Sequence, residues 1–160
     1  MKLPLDNVDK AILAMLQEDG SLSISELSDR LGMTPPPVWR RVRRLKNEGV
    51  LERQVWTVNA EAVGVNLIVY ATIRLAAHDP EAVRAFRDQI QAWPEVLECY
   101  ILLGEIDVLV KIAVADIKCY EEFFFQKLSQ LSVVREVNSS VVVSNIKNTA
   151  SLPLTFIGQP

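Results

Sequence analysis

The stretch Thr34-Pro35-Pro36-Pro37-Val38-Trp39-Arg40-Arg41-Val42-Arg43-Arg44-Leu45-Lys46 decides how this chain is read. Thr34 suits a helix N-cap, and Pro35 suits the first helical position, where no amide hydrogen is missed. Pro36 and Pro37 still fall within the first turn, so their missing N–H groups cost little. Val38, Val42 and Leu45 stand at i, i+4 and i+7 and mark a buried stripe. Arg40, Arg43 and Asn47 then fall on a second face, and Arg41, Arg44 and Glu48 on a third. The arginines are therefore expected to point outward. Trp39 borders the stripe and is expected to pack against it. Five of the 17 Lys and Arg residues lie in positions 39–46, with no acid among them.

The flanking sequence gives this basic helix a setting. Ser23-Ile24-Ser25-Glu26 is a capping box, a hydroxyl with a carboxylate three residues on. Ile24, Leu27 and Leu31 follow at helical spacing, and Gly32 supplies the stop. Upstream, Val8, Ile12, Met15 and Leu16 predict a helix over Asn7–Glu18, capped by Asp6 or Asn7 and ended by Gly20. Helix, short turn at Gly32, helix with a basic outer face is the helix-turn-helix arrangement. Its second helix would enter a DNA major groove, with Thr34, Pro36, Pro37 and Arg40 near base edges. The proline rings would act as apolar knobs against thymine methyls. Arg41, Arg43, Arg44 and Ser25 would steady the sugar-phosphate backbone, with Trp39 alongside. Gly49 closes the helix, and weak alternation over residues 51–58 predicts a β-wing or linker strand. Residues 1–50 thus read as a winged helix-turn-helix DNA-binding domain, and 51–64 as its wing or linker.

The remainder alternates differently. Residues 65–75, 96–103, 107–114 and 133–146 read as strands. Residues 80–93 and 116–131 read as helices. The order βαββαβ is the ferredoxin-like split unit, which makes the whole chain α+β, with a second domain at 65–154 and a frayed tail at 155–160. Val108-Leu109-Val110 and Val141-Val142-Val143 predict apolar side chains on both faces of the sheet. The face without helices should then cover itself with a second subunit's sheet.

Composition sets the outer limits. The chain has 160 residues, 49% hydrophobic and 23% charged, with net charge −3. This length can bury roughly two-thirds of the unfolded surface, so disulfides are not needed for folding. The net charge hides an uneven distribution. Residues 1–60 hold nine basic and eight acidic groups, whereas residues 61–160 hold eight and twelve. A basic element on an acidic body is an electrostatic footprint for nucleic acid. Two cysteines and one histidine cannot supply a four-ligand zinc site. Cys99 and Cys119 read as small buried hydrophobes, and His78 sits in a turn-like Ala77-His78-Asp79-Pro80. No catalytic constellation, metal site or cofactor is expected. Without a membrane-length apolar run or a signal-peptide core, the expected location is the cytoplasm.

Several motifs, taken in order, resemble the Lrp/AsnC family of transcription regulators. They are Leu5-Asp6-Asn7-Val8-Asp9 through Leu13, Glu26-Leu27-Ser28 through Pro35, Pro37 through Leu45, Gly49-Val50-Leu51, Pro94-Glu95-Val96, Gly104-Glu105-Ile106-Asp107, and Ile146-Lys147 with Ser151 through Leu154. The resemblance spans about residues 5–154. It implies double-stranded DNA as partner, and dimers joined through their sheets, commonly four to an octamer. It also implies a small effector, an amino acid, held near Gly104, Glu105, Ile106 and Asp107. The first part of the last strand, Val137, Asn138, Ser139 and Ser140, would lie beside that loop. Exposed amides of a glycine turn would take the ligand's carboxylate, and an acid its ammonium. Two departures stand out: aliphatic Ile106 and Val108 occupy positions that are often aromatic, and Val137 stands where a hydroxyl is common. The alternatives are an effector-independent architectural DNA-binding protein and an Lrp-like haem-pathway decarboxylase.

Overall fold

The computed structural model describes residues 4–76 and 79–156, and they form two compact units. One holds the chain up to Trp56 together with the segment from Lys147 onward; the other is Thr57–Ile146. His78 lies outside the described residues.

The first unit is built on three helices: α1 (Asn7–Glu18), α2 (Ile24–Leu31) and α3 (Pro35–Asn47). Asp6 caps α1, and Asp9 returns the bond in a capping box. Ser23 and Glu26 do the same for α2, which ends at Gly32 in the left-handed region, φ 63°. Ile12, Leu13, Leu27, Val38, Val42 and Leu45 form the core, as the helical spacings predicted. Each such side chain taken from water contributes roughly 1.5–3 kcal/mol.

One expectation fails in this unit. Residues 51–59 form no strand; Val55, Trp56 and Val58 are exposed and bury no alternating face. The segment from Lys147 onward groups with this unit. There Gln17 brackets Leu152, its Nε2 donating to the carbonyl at 3.2 Å and its Oε1 accepting the N–H at 2.7 Å. Leu154, read as the last residue of the second domain, packs on the helical core.

The second unit is a four-stranded antiparallel sheet of order β2-β3-β1-β4, with β1 Leu67–Leu75, β2 Val96–Ile101, β3 Val108–Val114 and β4 Val134–Val141. Helices α4 (Pro80–Ala92) and α5 (Ile117–Gln126) supply Phe86, Ile90, Tyr120 and Phe123 to one core. Val69, Ala71, Ile73 and Leu75 of β1 and Val108, Val110, Ile112 and Val114 of β3 face it. This is the expected βαββαβ sandwich. Alternation places Tyr70, Thr72, Arg74, Leu109, Lys111, Asn138 and Ser140 on the opposite face. That face is amphipathic rather than apolar, and Lys111 bonds Glu98 across it at 2.9 Å. β4 ends at Val141, so Val142 and Val143 add no apolar face. The cysteines are exposed, not buried: Cys99 lies on edge strand β2, and Cys119 lies in the first turn of α5 beside the buried Tyr120.

Candidate nucleic-acid interface and effector loop

Three prolines at the start of α3 remove the amide donors that an N-cap side chain normally serves. Thr34 occupies the cap position but makes no capping bond. Its hydroxyl and the rings of Pro35, Pro36 and Pro37 form a helix tip that presents methylenes and one hydroxyl. It has no row of N–H groups for a phosphate.

Along α3 the arginines divide into two kinds. Arg40 and Arg43 are exposed, as expected. Arg43 lies over the Trp39 ring, 5.1 Å from its centroid. Trp39 itself is 48% exposed, so it packs less than its border position suggested. A guanidinium stacked on a half-exposed indole gives a flat polar-apolar surface beside the outward face.

Arg41 is half-buried and Arg44 exposed, and both reach across to Asp9 of α1. Asp9 is 1% exposed and accepts from both, Arg41 Nη1 at 2.8 Å and Arg44 Nη2 at the short end of the hydrogen-bond range. Arg41 Nη1 also donates to Asp6 Oδ2 at 2.7 Å. The physical reason is burial: a carboxylate 1% exposed needs hydrogen-bond donors on its oxygens, and the two guanidiniums supply them. Hydrogen bonds from the Asp9 N–H and from Arg41 hold the Asp6 carboxyl below its ordinary value. Bonds to Asp6 and Asp9 push the Arg41 guanidinium further up. Ser25 is exposed in the first turn of α2. The sequence reading missed the part of Asp9. Its signal was the Asp6–Asp9 spacing of three, which fits a capping box and leaves carboxylate oxygens over for the arginines.

In the second unit, Gly104 and Glu105 are exposed in the β2–β3 turn, and Ile106 and Asp107 are half-buried. Asp107 is structurally engaged. Its N–H donates to the Ile73 carbonyl at 3.1 Å, its carbonyl accepts from Leu102 N–H at 2.8 Å, and its Oδ2 accepts from Leu75 N–H at 2.8 Å. The loop is thereby fastened to the end of β1. Gly104 has ordinary φ, and a Cβ there would meet nothing within 4 Å.

β4 brings only some of the expected residues to that end. Ile73 pairs with Val108 on one side and Val137 on the other, so Val137 sits two strands from the loop. Val137 packs on the core, and Ser139, on the same side, hydrogen-bonds the Tyr120 hydroxyl. Asn138 and Ser140 point to the other face. Within one chain the seven expected effector residues therefore do not share one surface. Among the described residues no group of three or more His, Cys, Asp and Glu could hold a metal ion, and no helix is long and apolar enough to cross a membrane.

These two units match known family models. Residues 5–52 match the winged helix-turn-helix DNA-binding model, and residues 68–152 the Lrp/AsnC ligand-binding domain. The chain is 34% identical over 150 residues to the DNA-binding transcriptional activator DecR of Escherichia coli, covering 94% of this chain and 99% of that protein. It is 34% identical over 154 residues to the transcriptional regulator AzlB of Bacillus subtilis, covering 96% and 98%. Among solved structures, a transcriptional regulator of Neisseria meningitidis in complex with L-Met superposes with a TM-score of 0.91 at 33% identity, covering 94% of this chain and 97% of that one. The chain belongs to the Lrp/AsnC family of DNA-binding transcriptional regulators, with an α+β build.

Proposed function

We propose that α3 reads a specific duplex sequence and that the second unit adjusts this reading in response to an amino acid. The carrying observation is the tip of α3. Thr34 makes no capping bond, and Pro35, Pro36 and Pro37 have no N–H to offer. Such a tip suits base edges and thymine methyls better than phosphates. Arg40 follows one turn on, with Arg43 on Trp39 at the flank. Two copies bring two such helices, which favours a pseudo-palindromic site.

Oligomers are part of this reading. The helix-free face, with Tyr70, Leu109 and the Lys111–Glu98 pair, suits a second sheet, and four such dimers would make an octamer. The effector loop is Gly104–Asp107. Gly104 carries no Cβ and the space beside it is open, so a ligand carboxylate has close access to the turn's backbone. The Neisseria relative bound to L-Met makes methionine the first amino acid to try. A cytoplasmic location is consistent with these partners.

One observation favours the effector-independent alternative. Asp107 Oδ2 is held by Leu75 N–H, and Ser139 by Tyr120, so two of the polar groups expected to hold a ligand are engaged.

Two experiments test the proposal. Charge reversal, Arg40→Glu with Arg43→Glu, should abolish duplex binding while the fold persists by circular dichroism; unchanged binding refutes the placement of α3. Thermal melts with each of the twenty amino acids should show a shift for one or two, since a ligand at a hundredfold excess over its Kd adds about 2.7 kcal/mol. Flat melts favour the architectural alternative.

A further inference from the structure

The basic helix has an acid set at one edge. Pro37, Arg40, Arg41 and Arg44 recur at i, i+3, i+4 and i+7, and together with Asp6 they line an open cleft of about 330 Å³. The core stripe of α3 is Val38, Val42 and Leu45. The cleft row therefore lies on one flank of the face opposite the core. A helix in a major groove meets bases with that opposite face and sugar-phosphate backbone along its flanks.

The two carboxylates at the cleft have different duties. Asp9 is buried, and both its oxygens are engaged, by Arg41, by Arg44 and by the Asp6 N–H at 3.1 Å. It is the fixed anchor. Asp6 has a side chain 52% exposed. Its Oδ1 accepts the Asp9 N–H at 2.8 Å and caps the helix, while its Oδ2 takes Arg41 Nη1 at 2.7 Å. Only this second bond faces the cleft.

We propose that the Asp6–Arg41 pair is an exchangeable seat for a phosphodiester of the DNA backbone. A backbone phosphate displaces Asp6 Oδ2 from Arg41, with Arg40 and Arg44 at its sides, while Asp9 keeps Arg41 aimed. The seat rests on the reading of α3 as the recognition helix. The exchange is favourable because a solvent-exposed ion pair is weak, whereas phosphate neutralisation also releases counterions. Asp6 stays close to the incoming phosphate and repels it, which holds down sequence-independent affinity.

The test is Asp6→Asn in the full chain. Asparagine keeps the capping carbonyl and is as good an N-cap as aspartate, so the helix is preserved while the charge is lost. Binding to a random-sequence duplex of about 30 base pairs is followed by fluorescence anisotropy across a salt series. The expected result is binding about three- to tenfold tighter at low salt, the order a like charge about 4 Å away produces at a water-like dielectric. The gain should shrink as salt rises, since screening acts over about 10 Å at 0.1 M. Glu18→Gln, at the far end of α1, should change little. An Asp6→Asn variant that is folded by its melt and binds no tighter than Glu18→Gln overturns the seat. If that occurs while Arg40→Glu with Arg43→Glu abolishes binding, only the seat fails. If the double reversal leaves binding intact, the reading of α3 fails with it.

Discussion

Replacing Asp9 by alanine tests whether the arginines of α3 are held from within. Asp9 is 1% exposed and serves three donors: Arg41, Arg44 and the Asp6 N–H. Breaking a fully buried ion pair costs about 3–5 kcal/mol, because the remaining charge is stranded. Here the stranded guanidiniums keep side-chain exposures of 27% and 43% and can take up water from the cleft. The expected loss is therefore lower, about 2–3 kcal/mol, made of two charge-assisted hydrogen bonds partly replaced by hydration. The two units have separate cores, so the loss should fall on the first. Trp39 and Trp56 lie in the first unit and Trp93 in the second, so urea unfolding followed by tryptophan fluorescence and by calorimetry can separate them. A loss below about 0.5 kcal/mol would show that the Asp9 network behaves as a surface pair. Equal shifts in both units would refute the assignment of the strain to the first.

Further outcomes follow from the same contacts. Gly32→Ala should cost about 1 kcal/mol, because φ 63° penalises any Cβ although nothing obstructs it; an unchanged melt contradicts the left-handed cap. Glu26 has its carboxyl lowered by bonds from the Ser23 hydroxyl and then the Ser23 N–H. Its contribution is therefore present above the ordinary value of 4.5 and lost as pH falls below it. Ser23→Ala should flatten that part of the acid limb, as read by melts between pH 6 and 3. Gly104→Ala should leave the melting temperature unchanged, since its Cβ meets open space, yet reduce any amino-acid-induced shift; a full shift removes the loop from the effector site.

The elements legible in sequence were those that local chemistry dictates. The Ser23–Glu26 capping box, the Gly32 stop and the Val38–Val42–Leu45 stripe each depend on residues within seven positions, and each appears as read. What the sequence did not show depends on partners far along the chain. Arg41 and Arg44 are tied to a buried carboxylate more than thirty residues earlier. Ser139 is spent on Tyr120, nineteen residues away, and the final segment is fixed by Gln17, 135 residues away. Periodicity also overestimated the apolar character of the open sheet face. A run of valines identifies a strand but not where it ends, and β4 ends at Val141.

The most direct measurement is selection of bound duplexes from a random-sequence DNA pool by the full-length protein at physiological salt, followed by sequencing. The expected result is one enriched motif with two-fold related halves, A·T-rich where the proline tip of α3 meets the groove. An unenriched pool, bound with steep salt dependence and no motif, would contradict sequence-specific reading by α3 and leave an architectural DNA-binding protein.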